Sequence, residues 1–128
     1  MNPTPCGNNR IEWNHIYQVM LERDDGGGVY TLGNQPGTVI RGKHIHDNTN
    51  LPGGIYLDEG SGFIEVTDNC VYEIHTPVNY NNRAQDRTEI CFEHGDYFGA
   101  GPGDDGFPGE VVARAGLESA YREPGESR

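Results

Sequence analysis

Basic residues, long apolar runs and paired cysteines are all scarce in this chain, and each scarcity excludes something. Lys and Arg number 9 against 20 Asp and Glu, a formal net charge of −11. Nucleic acid is therefore excluded as a partner, because neutralising phosphates needs clustered cations. Anionic membrane surfaces are disfavoured on the same ground. No apolar run approaches the roughly 20 residues that a bilayer span requires. The opening stretch MNPTPCGNNR has no apolar core segment, so no secretory signal peptide is expected. Three cysteines, Cys6, Cys70 and Cys91, leave an odd thiol and show no C-x-x-C spacing, which argues against a disulfide framework. No amphipathic helical pattern of about 10 or more residues lies through the middle of the chain.

What the chain does contain is 19 Gly and 8 Pro, with only 34% hydrophobic residues. Low hydrophobicity and high charge would favour disorder. However, the β-branched and aromatic residues occur in short, evenly spaced clusters, the pattern of many brief strands separated by turns.

Those clusters repeat. RIEWNHIYQV, TVIRGKHIHD, FIEVTDNCVYEI and TEICFEHGDYFG align on Asn14, Lys43, Asn69 and Asp96. Two residues further on stand Ile16, Ile45, Val71 and Phe98; three residues earlier stand Ile11, Ile40, Val66 and Glu93. A second series pairs Val29 with Ile55 and Tyr30 with Tyr56. Units this long without helices exclude ankyrin, TPR and strand-helix solenoids, and they are too short for propeller blades. The expectation is an all-β, parallel β-solenoid of about four coils, with equivalent residues stacked at ~4.8 Å. Ile16, Ile45, Val71 and Phe98 would form an internal apolar stack. Lys43 and Asp96 interrupt what would otherwise be an Asn ladder.

The expected organisation is an irregular N-terminus over residues 1–9, coils over 10–106, and a cap and tail over 107–128. In the last segment, PGEVVARAG has Pro, an early acidic residue and a Gly stop, predicting a short helix lying over the final coil. Nothing N-terminal covers the first coil. Its open edge predicts either self-association into a homo-oligomer or membership of a longer chain.

DDGGGVYTLGNQPGTVIRGKHIHDN, GGIYLDEGSGFIEVTDNCVY, NNR and FPGEVVARAGLESAYR resemble the C-terminal part of large secreted right-handed parallel β-helix proteins. These are of the pectate-lyase-like type and include glycoside hydrolases acting on polysaccharides. The resemblance implies a secreted or periplasmic setting and a polysaccharide or oligosaccharide partner. It also implies a catalytic pair: the Asp of a D-G-G segment and an acidic residue about one coil later. Here these are Asp25 with Asp58 or Glu59, Asp47 being a third choice for the second role. Asp25 would be nucleophile or base, and Asp58 or Glu59 the acid.

The residues themselves permit such chemistry. Glycoside hydrolysis needs two carboxyl groups about 5–5.5 Å apart for retention or about 6.5–9.5 Å for inversion. Stacked coils supply ~4.8 Å or ~9.6 Å. In the repeat alignment, though, Asp58 falls over Leu32 and Asp25 over Leu51, so convergence requires sharp bends at Gly26–Gly28 and Gly53–Gly54. The plainer reading of both acidic stretches is a soluble turn, since Asp before Gly is a common turn dipeptide. His15 and His44 share a repeat position. His46, with Asp47, Tyr30 and Tyr56, is a candidate substrate-facing group. No H-x-x-x-H or H-E-x-x-H spacing occurs, so no metal is expected. No cofactor is expected either; calcium on Asp24, Asp25, Asp58 or Glu59 is the one open alternative. Two functions follow: a fragment or minimal form of a polysaccharide-degrading glycoside hydrolase, or a non-catalytic β-helix module that binds carbohydrate or assembles with itself.

Overall fold

The computed structural model describes residues 5–81 and 91–124. Ten strands dominate it. In chain order they are β1 (Arg10–Glu12), β2 (His15–Tyr17), β3 (Gly26–Thr31), β4 (Asn34–Arg41), β5 (His44–His46), β6 (Asn48–Leu57), β7 (Gly62–Thr67), β8 (Cys70–Val71), β9 (Ile74–Tyr80) and β10 (Cys91–His94). One short helix, α1 (Gly109–Arg114), and a 3-10 turn (Ser119–Tyr121) follow. The chain visits three parallel sheets in rotation, ordered β1-β4-β7-β10, β2-β5-β8 and β3-β6-β9. Every third strand thus lies beside its predecessor.

The register reproduces the sequence repeat. Ile11 pairs with Ile40, Ile40 with Val66 and Val66 with Glu93. Ile16 pairs with Ile45, and Ile45 with Val71. Val29 pairs with Ile55, and Ile55 with Val78. Apart from Glu93, their side chains meet in one apolar core with Leu57 and Ile64. The fourth expected member of the second stack departs. Only an isolated bridge, Cys70 to Tyr97, continues that sheet, and Phe98 is 43% exposed. No further strand of that sheet lies beyond it among the described residues.

The ladder beside the core is continuous, contrary to expectation. Lys43 donates its ammonium to the Asn14 amide oxygen. The Asn69 side-chain oxygen accepts the Lys43 backbone N–H at 2.9 Å. Asp96 accepts both the backbone and side-chain N–H of Asn69 at 2.8 Å. Lysine and aspartate fit because each unit needs only a donor or an acceptor reaching its neighbour. The bend itself falls one residue earlier. Trp13, Gly42, Asp68 and Gly95 all have positive φ, between 54° and 72°. Gly42 is required twice over, since a Cβ there would collide with the Trp13 ring.

The C-terminal segment is not a lid on the last unit. Val111 packs with Cys70 and Tyr72, and Phe107 meets both Tyr72 and Tyr97. Further on, the Gly116 N–H bonds the Trp13 carbonyl at 2.8 Å, and the Arg114 guanidinium lies 3.5 Å from the Trp13 ring centroid. The segment therefore runs back along the outside of the β2-β5-β8 sheet to the first unit. Shape explains the difference: the apolar partners of Val111 and Phe107 are outward-facing aromatics along the sheet, not the end of the stack.

Candidate functional site

Two polar faces emerge, one on each of two sheets. On the β3-β6-β9 sheet, Tyr30 and Tyr56 stand side by side with their ring centroids 5.4 Å apart, edge to face. Tyr30 is 49% exposed while Tyr56 is 4% exposed. The Tyr30 hydroxyl donates to Asp58 in a short hydrogen bond. Asn81 donates to the other Asp58 oxygen at 2.7 Å. The Tyr56 hydroxyl donates to Asp25 at 3.3 Å.

Local backbone explains these meetings. Asp25 sits in the left-handed region at φ 62°, which turns its carboxylate toward the tyrosines just before β3 begins. Gly26–Gly28 lie within β3 and do not bend as anticipated. The true distortion is a register irregularity in β6 between Asn48 and Gly53. Gly54 must remain glycine because a Cβ would strike the Pro77 carbonyl. Asp58 opens a turn fixed at both ends: its N–H bonds Thr31 O at 3.0 Å, and its carbonyl accepts Ser61 N–H at 2.9 Å. So Asp25 and Asp58 are offset along the sheet, as the repeat implied, and two long phenols bring them into one polar network. Exposed Glu59 lies on the same turn, its carbonyl accepting the Gly33 N–H at 3.0 Å.

The electrostatics differentiate the groups. The Tyr30 hydrogen bond, joined by Asn81, a backbone N–H and Tyr56, holds Asp58 below the usual carboxylate range against the opposing effect of burial. Tyr30 is correspondingly raised, chiefly by that hydrogen bond. Burial, then the charges of Asp58 and Asp25, push Tyr56 up to about 12. Asp58 is thus held ionised, which does not suit the proton-donor role expected of it from sequence. The repeat does not point to Asn81, part of the NNR stretch, because it lies 23 residues after Asp58, outside the 26 to 29 spacing of the alignable rows.

The second face belongs to the β2-β5-β8 sheet, beneath the C-terminal segment. Tyr17, His46 and Tyr72 form one parallel stack at 5.6 and 5.2 Å, and His15 stacks on His44 at 4.3 Å. The His15 and His46 Nε2 atoms are 2.8 Å apart, and His46 Nδ1 lies 3.0 Å from an Asp47 oxygen. His44 Nε2 is 3.1 Å from the Tyr72 hydroxyl. Burial, then neighbouring His15 and His46, push His44 down to about 4. Asp47 and Glu73 occupy equivalent left-handed bends on adjacent units. Their mutual hydrogen bond raises Glu73 and lowers Asp47. The three histidines, Asp47, Tyr17 and Tyr72 border a cavity of about 820 Å³ that Trp13, Phe107 and Leu117 also line. One ligand atom from each of His15, His44 and His46 lies within 4.8 Å of the others, and the same holds for His46, Asp47 and Glu73.

Of the site residues expected from sequence, the structure therefore unites Asp25, Asp58, Tyr30 and Tyr56, with Glu59 beside them. It carries His46 and Asp47 to a different sheet.

No family model and no curated protein matches this chain. Among solved structures, a glycoside hydrolase is similar over 94% of this chain with 26% identity and a TM-score of 0.66. The matched region is 19% of that enzyme, so this chain spans about a fifth of its length.

Proposed function

We propose that this chain is a carbohydrate-active segment of a right-handed parallel β-helix of the pectate-lyase-like type, and that the Asp25–Asp58 face hydrolyses glycosidic bonds in a neutral polysaccharide or oligosaccharide. The observation that carries this reading is the shared tyrosine pair: Tyr56 holds Asp25 and Tyr30 holds Asp58 on one outward face. The glycoside hydrolase likeness over nearly the whole chain supports it.

Hydrolysis by paired carboxyls needs one ionised group, to attack the anomeric carbon or activate water, and one protonated group to protonate the leaving oxygen. Asp58 is the ionised member, held so by its hydrogen bonds. Asp25 is the proton donor, and Glu59 on the neighbouring turn is its alternate. The exposed Tyr30 ring offers an apolar plate for a pyranose face. The roles of Asp25 and Asp58 are thereby exchanged relative to the sequence expectation.

The test is reducing-sugar release from a panel of neutral oligosaccharides by the full chain. Asp58→Asn abolishes turnover. Asp25→Asn suppresses it on natural linkages but spares aryl glycosides, whose leaving groups need no proton. Undiminished hydrolysis in both variants, on every substrate the native chain cleaves, would overturn the catalytic assignment.

A second reading rests on the fact that the chain matches only 19% of the enzyme it is similar to. In that reading the face binds sugar without turning it over. Saturable binding that Tyr30→Ala removes, with no hydrolysis of any substrate, selects it. The unpaired outer edges of β1, β2 and β3 would then serve to dock a second copy or preceding coils.

A further inference from the structure

We propose that His15, His44 and His46 form a binding site for a nitrogen-preferring divalent cation of the Zn2+ class, opening into the cavity beneath the C-terminal segment. This inference is independent of the carboxylate face and its sugar chemistry.

His15 and His44 are register partners on β2 and β5, and His46 lies two residues further along β5 on the same face, opposite Tyr17. Parallel strands and ring stacking fix their planes: His15 and His44 are within 6° of parallel. One nitrogen from each lies within 4.8 Å of the other two. Nitrogens about 2.0–2.1 Å from a tetrahedral ion stand about 3.3 Å apart. The His15–His46 pair at 2.8 Å and the outer limit of 4.8 Å bracket that value, so small ring rotations close the set.

Three further observations favour a cation. First, His46 Nδ1 faces the Asp47 carboxylate at 3.0 Å. A carboxylate on the far nitrogen fixes the tautomer, turning the lone pair of Nε2 outward, and this is the usual arrangement behind a metal-bound imidazole. Second, that lone pair faces another ring nitrogen, His15 Nε2. Either a proton or a metal must lie between two such atoms. Third, His44 is 2% exposed and its Nδ1 has no hydrogen-bond partner among the described residues. Buried polar atoms are normally satisfied, and one beside two convergent imidazoles points to a ligand.

Imidazole donors suit Zn2+, Cu2+, Co2+ and Ni2+ rather than Ca2+ or Mg2+, which take oxygen. Three protein nitrogens leave coordination positions for water or for a group entering the cavity. Asp47 acts as the positioning residue, with Glu73 bonded behind it.

The test uses the full tag-free chain and Co2+, whose visible bands report nitrogen coordination, with Zn2+ as competitor. Trp13, the single Trp, lines the same cavity, so its quenching by bound Co2+ gives a second readout. Expected is saturable one-to-one binding that Zn2+ reverses. His15→Ala and His46→Ala should weaken it at least about tenfold, Asp47→Asn by about 10-fold or more, and His75→Ala, an exposed histidine elsewhere, not at all. Circular dichroism checks the fold; should His46→Ala unfold, His15→Gln makes the same test on a partly exposed ring. No saturable Co2+ binding by the native chain, or equal affinity in folded His15 variants, would overturn the site.

Discussion

The two polar faces are built on the same repeat yet solve opposite problems. On β3-β6-β9 the outward aromatics are tyrosines whose hydroxyls restrain carboxylates, and nothing among the described residues lies over Tyr30. On β2-β5-β8 the outward positions hold imidazoles and tyrosines in continuous stacks, and the C-terminal segment crosses them. Burial then acts with opposite results. The open face keeps Asp58 charged through hydrogen bonds, whereas the covered face keeps His44 neutral through desolvation. Stacking alone does not decide chemistry; what is laid over the stack does.

The sharpest way to break this comparison is to exchange losses. Asp58→Asn should cost hydrolysis about 10²–10⁴-fold, the usual range for a positioned acid or base, while leaving Co2+ binding intact. His46→Ala should do the reverse. If either substitution removes both readouts in a folded protein, the two faces act as one site and the contrast fails.

Next in size is a lesion that ought to harm both faces equally. Ile45 is 0% exposed and lies in the core between them. Ile45→Ala should destabilise by about 2–5 kcal/mol, read from urea midpoints. Selective damage to one face, with the other intact at unchanged stability, would show that the units unfold independently.

How much of this was legible in the residues follows from the same geometry. Rows spaced 26 to 29 apart, such as Ile16–Ile45–Val71, were readable because parallel register turns sequence offset directly into contact. The Asn14–Lys43–Asn69–Asp96 ladder was misjudged because identity was sought where only donor and acceptor complement was needed. Phe98 matches its row in type, but no strand beyond it among the described residues helps to bury it. Asn81 and the return path of residues 107–117 were hidden. The first lies off the alignable spacing, and the second depends on which outward side chains are aromatic once the sheet exists. The resemblance points to Asp25 and Asp58, and the side chains of Tyr30 and Tyr56 account for their meeting.

A smaller effect concerns the ladder at the bend between the β1-β4-β7-β10 and β2-β5-β8 sheets. Lys43 is 0% exposed, and burial pushes its pKa down to about 8, partly opposed by the charge of Glu12. The unfolded chain holds that proton up to the ordinary 10.5. Between these limits the unfolded state binds more protons, so stability should rise with pH across that window. Below about 8 both states are protonated and this residue adds no slope. Lys43→Met should remove the rise, seen as a flatter difference in urea midpoints between about pH 8 and about pH 10. An identical slope in both proteins would mean the ammonium reaches water.

The finest discrimination is Tyr30→Phe, which deletes one hydroxyl and keeps the ring. That hydroxyl is the largest single cause of the depressed Asp58 pKa. With a folded pKa below the ordinary 3.8, the ionised carboxylate stabilises the fold above that value and loses this contribution as pH falls through the folded pKa. If ionised Asp58 is the reacting base, the acid limb of kcat/KM lies below 3.8 in the native chain and moves upward in Tyr30→Phe. The shift should be partial, since Asn81 and the Glu59 N–H still donate. Tyr72→Phe makes the matching deletion on the covered face, where the hydroxyl meets His44 instead, and should leave the limb in place. An acid limb that ignores Tyr30 but follows Tyr72 would transfer the reacting group from one face to the other.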